Sequence, residues 1–125
     1  NGPTIAAYNA VNQVRRRGYG LPIATPSVIA DLPAGLSKAN FQLAIEDERM
    51  RELCFEGTRK SDLIRLGKFV QTMNAVGAEM SALPTPTNQQ YGGFGGLNVE
   101  AKHLLYPIPS REIASNKELK PNEGW

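Results

Sequence analysis

The residues best equipped for chemistry in this chain are three carboxylates, Glu48, Glu52 and Glu56, spaced four apart in the segment IEDERMRELCFEGTRKSDLIRLG. Paired acids in different environments can divide the work of a general acid and a general base, the chemistry of a carboxylate-based glycoside hydrolase. Four-residue spacing places them on one helix face, the face that also carries Phe41, Ile45 and Phe55. Like charges repel on such a stripe, and burial among apolar residues raises the cost. Cations must answer them, and the same segment supplies Arg49, Arg51, Arg59 and Arg65, with Arg15, Arg16 and Arg17 upstream. An acid held by guanidinium neighbours stays ionised and is a poor proton donor near neutral pH. The spacing therefore predicts a buried or half-buried structural ion-pair network of Glu48, Arg49, Glu52, Glu56, Arg59, Asp62 and Arg65, and no catalytic residue.

The remaining reactive side chains point the same way. His103 is the single histidine, and no His-Glu-x-x-His or EF-hand pattern accompanies it, so neither a metal site nor a cofactor is expected. Cys54, the single cysteine, falls on a helix face with Leu43 and Met50 and is expected to be an inert core thiol. The run Arg15-Arg16-Arg17 suggests nucleic acid, but consecutive helical positions point 100° apart and cannot form one phosphate-gripping face. The glycines around Phe94 lack a preceding strand and a following Lys-Ser or Lys-Thr, so they form no phosphate loop. Tyr91 and Phe94 in that stretch are the candidate ligand contacts, since flat sugar faces stack on aromatic rings, although an aromatic there can equally plug its own domain. Tyr106-Pro107-Ile108-Pro109 is expected to anchor the end of the chain by burying Tyr106 and Ile108, rather than to serve as a polyproline ligand.

These residues need elements to position them. Pro3 suits the first turn of a helix whose stripe of Ala7, Ala10, Val11 and Val14 ends in the arginines and Gly18. A Pro/Gly connection follows, with a turn of helix over residues 27–32. Ser37 is the expected N-cap of a second helix from about Lys38 to Phe55, with a Leu36/Phe41 staple and a stop at Gly57. Leu43, Met50 and Cys54 give that helix a second apolar face, which predicts a central position. Leu63, Leu66, Val70, Met73, Gly77 and Met80 predict a third helix with one continuous seam. Pro84 to Asn98 predicts an irregular exposed loop, followed by a short apolar run, a brief helix from Ser110 through Ala114, and an extended tail. The fold class is mainly α: three principal helices, a long Gly/Pro-rich loop and an extended C-terminal tail.

Composition sets the outer bounds. A chain of 125 residues with net charge +2 can bury one real core and calls for no polyanionic partner. One cysteine excludes an internal disulfide, and no apolar run approaches the ~20 residues that span a bilayer.

Two motifs carry a family resemblance. Glu48-Arg49, Glu52-Leu53, Glu56-Gly57, Arg59, Asp62-Leu63, Arg65 and Gly67 form one without gaps. Tyr106-Pro107-Ile108-Pro109, Glu112-Ile113, Asn116, Leu119, Asn122 and Gly124-Trp125 form the other. Together they resemble the SusD/RagB family of outer-membrane nutrient-binding lipoproteins of Bacteroidetes, with Lys117 and Glu123 in place of the usual prolines, Pro121 in place of glutamine, and Trp125 where tyrosine is common. The resemblance implies that residues 1–125 are a single domain, the C-terminal region of a longer protein whose leader and lipid anchor lie upstream. It implies a non-enzymatic protein at the cell surface that binds oligosaccharides or other nutrients and passes them to a TonB-dependent transporter of the SusC-like type. No nucleic acid partner is implied, and the membrane is reached only through the upstream anchor. In that setting the helix motif is scaffold. A fragment of this kind is expected to self-associate through a former internal interface. The rival readings are a helical protein–protein adaptor using the Leu63 to Met80 seam and, behind it, the hydrolase.

Overall fold

The computed structural model describes residues 2–84 and 88–125, with side chains throughout except at residues 88–91. The order is α1 (Ile5–Gly18), α2 (Lys38–Glu52), α3 (Arg59–Arg65), α4 (Phe69–Ser81), α5 (Asn88–Leu97), a 3-10 turn (Ala101–Leu104) and α6 (Ser110–Ser115), with no strand among the described residues. The mainly α expectation holds. The chain divides into two compact units, Asn1–Arg59 and Lys60–Trp125.

In the first unit α1 begins at Ile5, two residues after Pro3, because the Thr4 side chain accepts from Ala7 N at 3.2 Å and sets the N-cap. Ser37 caps α2 as expected, accepting from Asn40 N at 3.2 Å. Phe41, buried on α2, meets the Tyr8 ring at 4.7 Å between centroids, and with buried Ala30 it makes the apolar centre. The connection between the helices has no regular structure, so α1 side chains satisfy its backbone instead. Asn12 Oδ1 accepts from Leu32 N at 2.9 Å, the Tyr8 hydroxyl accepts from Leu36 N at 2.9 Å, and Arg16 donates to the Ile23 carbonyl at 2.8 Å. A turn joins Ser27 O to Asp31 N at 2.9 Å where a helical turn is expected.

Two features of α2 correct the sequence reading. The helix stops at Glu52, with Leu53 as its C-cap, and Phe55 and Gly57 both take left-handed backbone at φ 65° and 74°. Phe55 and Glu56 thereby leave the helical stripe, and Phe55 is wholly exposed. The second apolar face is open: Leu43, Met50 and Cys54 are exposed, so Cys54 is not a core thiol.

In the second unit the single long helix is two. Gly67 at φ 68° closes α3, its N–H bonding Ile64 O at 2.9 Å, and α4 restarts at Phe69. Leu63 and Phe69, on either side of the break, are the buried apolar residues. The Gly-rich stretch expected as a loop is helical over Asn88–Leu97, and residues 85–87 of that expectation lie outside the described residues. Tertiary packing overrides low helix propensity here. α4 and α5 meet at Gly77, Gly93 and Gly96, where a Cβ on Gly77 would stand 2.6 Å from Leu97 N and 2.8 Å from Gly93 O. Asn74 then bridges the pair, donating to Gly96 O at 2.8 Å and Val99 O at 3.1 Å.

The tail is held largely by polar and ring contacts, for Tyr106 is exposed where burial is expected, while Ile108 is half-buried. Lys60 Nζ lies 4.0 Å from the Tyr106 ring centre and 5.5 Å from that of Phe69. Asn122 donates to Tyr106 O at 2.7 Å, and Trp125 Nε1 to Lys102 O at 3.0 Å. Helix α6 falls where the sequence places it.

Candidate functional site

The charged cluster of the first unit is built on the last turn of α1. Consecutive arginines there point in three directions and find three partners. Arg15 Nη1 donates to Glu48 Oε2 at 2.7 Å, with both side chains mostly buried, and Arg15 Nε donates to the Ala30 carbonyl. Arg16 forms a bidentate pair with Asp31, Nε to Oδ1 at 2.6 Å and Nη2 to Oδ2. Arg17 pairs with Glu52 nearer the surface. Arg51 reaches Glu48 Oε2 at 3.5 Å from the following turn of α2. These contacts tie α1 to α2 and to the intervening connection without a large apolar core.

Asp31 is the residue that the motif reading misses. It is the only acid between Arg17 and Glu46, a signal available in the sequence, yet its pairing across an irregular connection follows no helical period. The hydrogen bonds from Arg16 hold its carboxyl below the ordinary range, outweighing desolvation, which acts the other way, and the Ser27 N–H adds to the effect. The same hydrogen bond raises Arg16.

The network residues named from the sequence are distributed unevenly. Glu48 and Glu52 meet arginines of α1, and Glu48 is also reached by Arg51 of its own helix. Asp62 and Arg65 pair at 3.2 Å within α3, in the second unit. Arg49 is exposed on α2, Glu56 lies exposed beyond it, and Arg59 is half-buried at the start of α3. Of the candidate ligand contacts, Phe94 sits half-exposed on α5, and the Tyr91 side chain lies outside the described residues. His103 is a local cap: its Nδ1 accepts from Glu100 N at 2.9 Å and its ring meets Trp125 edge-on at 5.4 Å. An apolar groove of about 440 Å³ runs between α1 and α2 along Ala7, Ala10, Val11, Val14, Ile45 and Leu53.

Among the described residues the fold is all-helical, with Glu48 and Glu52 of α2 paired to arginines of α1, and comparison with known proteins gives it a family. The sequence profile of the SusD family matches residues 1–125, and the chain belongs to that family. It is 34% identical over 79 residues to the starch-binding protein SusD of Bacteroides thetaiotaomicron, an alignment covering 63% of this chain and 12% of that protein. The crystal structure of a SusD homolog from Bacteroides thetaiotaomicron matches 99% of this chain with a TM-score of 0.86 at 39% identity. The chain spans 23% of the length of that solved relative.

Proposed function

We propose that this chain belongs to a non-catalytic glycan- or nutrient-binding protein of the bacterial cell surface, and that residues 1–125 act mainly as its scaffold. The observation that carries this reading is the agreement in sequence and structure along 99% of the chain with a solved SusD homolog. The α1–α2 cluster supports the scaffold role, since Glu48 and Glu52 are each engaged by an arginine of α1 rather than presented as an acid and base pair. The whole protein sits at the outer membrane, held by an upstream lipid anchor, and delivers oligosaccharides to a TonB-dependent transporter of the SusC-like type. The adaptor reading loses its seam, because the Gly77 face of α4 is already occupied by α5.

The test is made on the native protein extracted from outer membranes. It should carry an acylated N-terminal cysteine, bring a large barrel with it, and be retarded in gels containing starch or another neutral glycan, with no turnover of the glycan. A protein that comes without a barrel and passes a panel of glycans unretarded, or one that cleaves them, overturns the reading.

A further inference from the structure

We infer that the cleft between the C-terminal end of α1 and the middle of α2 is a subsite for a neutral oligosaccharide, with the Tyr19 ring as its stacking platform and Asp47 and Arg51 as its hydroxyl-binding groups. The inference rests on the glycan-binding reading above and adds a site to it within a region otherwise read as scaffold.

The cleft encloses about 590 Å³ within the first unit, inside the range of ~300–1,000 Å³ that small-molecule sites occupy. Tyr19, Leu32, Arg15, Glu48, Asp47 and Arg51 all line it. Its floor is preformed, because Arg15 is fixed at once by Glu48 and by the Ala30 carbonyl. Tyr19 caps α1 through its backbone N–H, which bonds Arg15 O at 3.0 Å, so its exposed ring is free of any capping duty. Asp47 is exposed and forms no ion pair among the described residues. Arg51 touches Glu48 only at 3.5 Å and remains 59% exposed, which leaves guanidinium donors on the open side.

The charge balance selects the ligand class. Glu48 is answered by Arg15, and Glu52, also on the wall, by Arg17, so Asp47 and Arg51 remain as one acceptor and one donor. A phosphate or sulfated sugar would meet Asp47 and Glu48 at close range, and an apolar ligand would strip water from charges it cannot pair. A polyhydroxylated neutral ring uses both groups, and its apolar face stacks on an aromatic. The neighbouring groove along Val11 and Ile45 also has charged groups, Arg49 and Glu52, on its wall but no aromatic ring.

The test follows backbone NMR signals of the 125-residue chain during titration with maltoheptaose, cellohexaose or a sulfated heparin oligosaccharide. A neutral sugar should move Tyr19, Asp47 and Arg51. Tyr19→Ala should weaken binding about tenfold while Tyr19→Phe restores it, as expected for ring stacking. Asp47→Ala should weaken it by about tenfold as well. Neither change should lower the melting temperature, since neither side chain is part of an ion pair. Shifts that map elsewhere, a Tyr19→Ala variant that binds like the parent, or binding of the sulfated sugar alone overturn the subsite. If no neutral sugar binds the chain while the native outer-membrane protein still binds glycan, the subsite falls and the functional reading stands. If the native protein binds none, the reading itself falls.

Discussion

At the scale of single residues, burial decides which of the ion pairs matter. Arg15 and Glu48 are 16% and 14% exposed, whereas Arg17 is 63% exposed in its pair with Glu52. Removing one partner of a buried pair strands a charge and costs about 3–5 kcal/mol, while an exposed pair is worth roughly 0–1 kcal/mol. Arg15→Ala is therefore expected to lower stability by about 3 kcal/mol, against less than about 1 kcal/mol for Arg17→Ala, in urea melts of the two variants. Equal losses would show that exposure does not rank these pairs. Asp31 gives the chain an acid-sensitive point. Its carboxyl titrates lower in the folded state than in the unfolded chain, so its contribution is complete above the ordinary carboxylate pKa of about 4 and is lost as pH falls through the depressed folded value. Thermal melts between neutral pH and pH ~3 should show Asp31→Asn less stable than the parent at neutral pH, with the gap narrowing in acid. A gap independent of pH would remove Asp31 from the acid response.

At the scale of elements, the glycines of the second unit do opposite jobs. Gly67 interrupts a helix by taking left-handed backbone, whereas Gly77, Gly93 and Gly96 allow two helices to touch through their backbones. A methyl on Gly77 would meet only main-chain atoms closer than 3.0 Å, with no flexible side chain to move aside. Gly77→Ala should cost about 1–3 kcal/mol by forcing α4 and α5 apart. Gly18→Ala, where nothing stands within 4 Å and φ is not positive, should be neutral or slightly stabilising. Comparing their midpoints in one denaturant series checks the packing, which is refuted if Gly77→Ala melts with the parent. The helical seam of α4 was legible in the sequence, and so were α6 and the Ser37 cap. The break at Gly67 was not, because a glycine within a helical pattern looks the same whether it serves contact or chain reversal.

At the scale of the whole molecule, the apolar residues left in water set the behaviour. Ile5, Val28, Ile29, Phe55 and Tyr106 are each more than 70% exposed, and Phe55 is held out on a left-handed backbone that costs roughly 1–2 kcal/mol. Single exposed apolar side chains are common, but contiguous apolar patches mark contact surfaces, and the adjacent Val28 and Ile29 with Phe55 are the candidates in the first unit. Sedimentation of the chain at rising concentration should show self-association, and Phe55→Ser should shift it toward monomer. A monomer at every concentration would mean that these side chains do not serve as contacts.

The sequence by itself determined the helical class, the family through its two motifs, and the presence of carboxylates that arginines must answer, because these depend on residue type and local spacing. Only the tertiary structure decided which arginine meets which acid, that Asp31 rather than Glu56 completes the cluster, and that a glycine-rich stretch becomes a helix. Pairing across an irregular connection, and backbone contact between helices, depend on distances that no sequence period encodes.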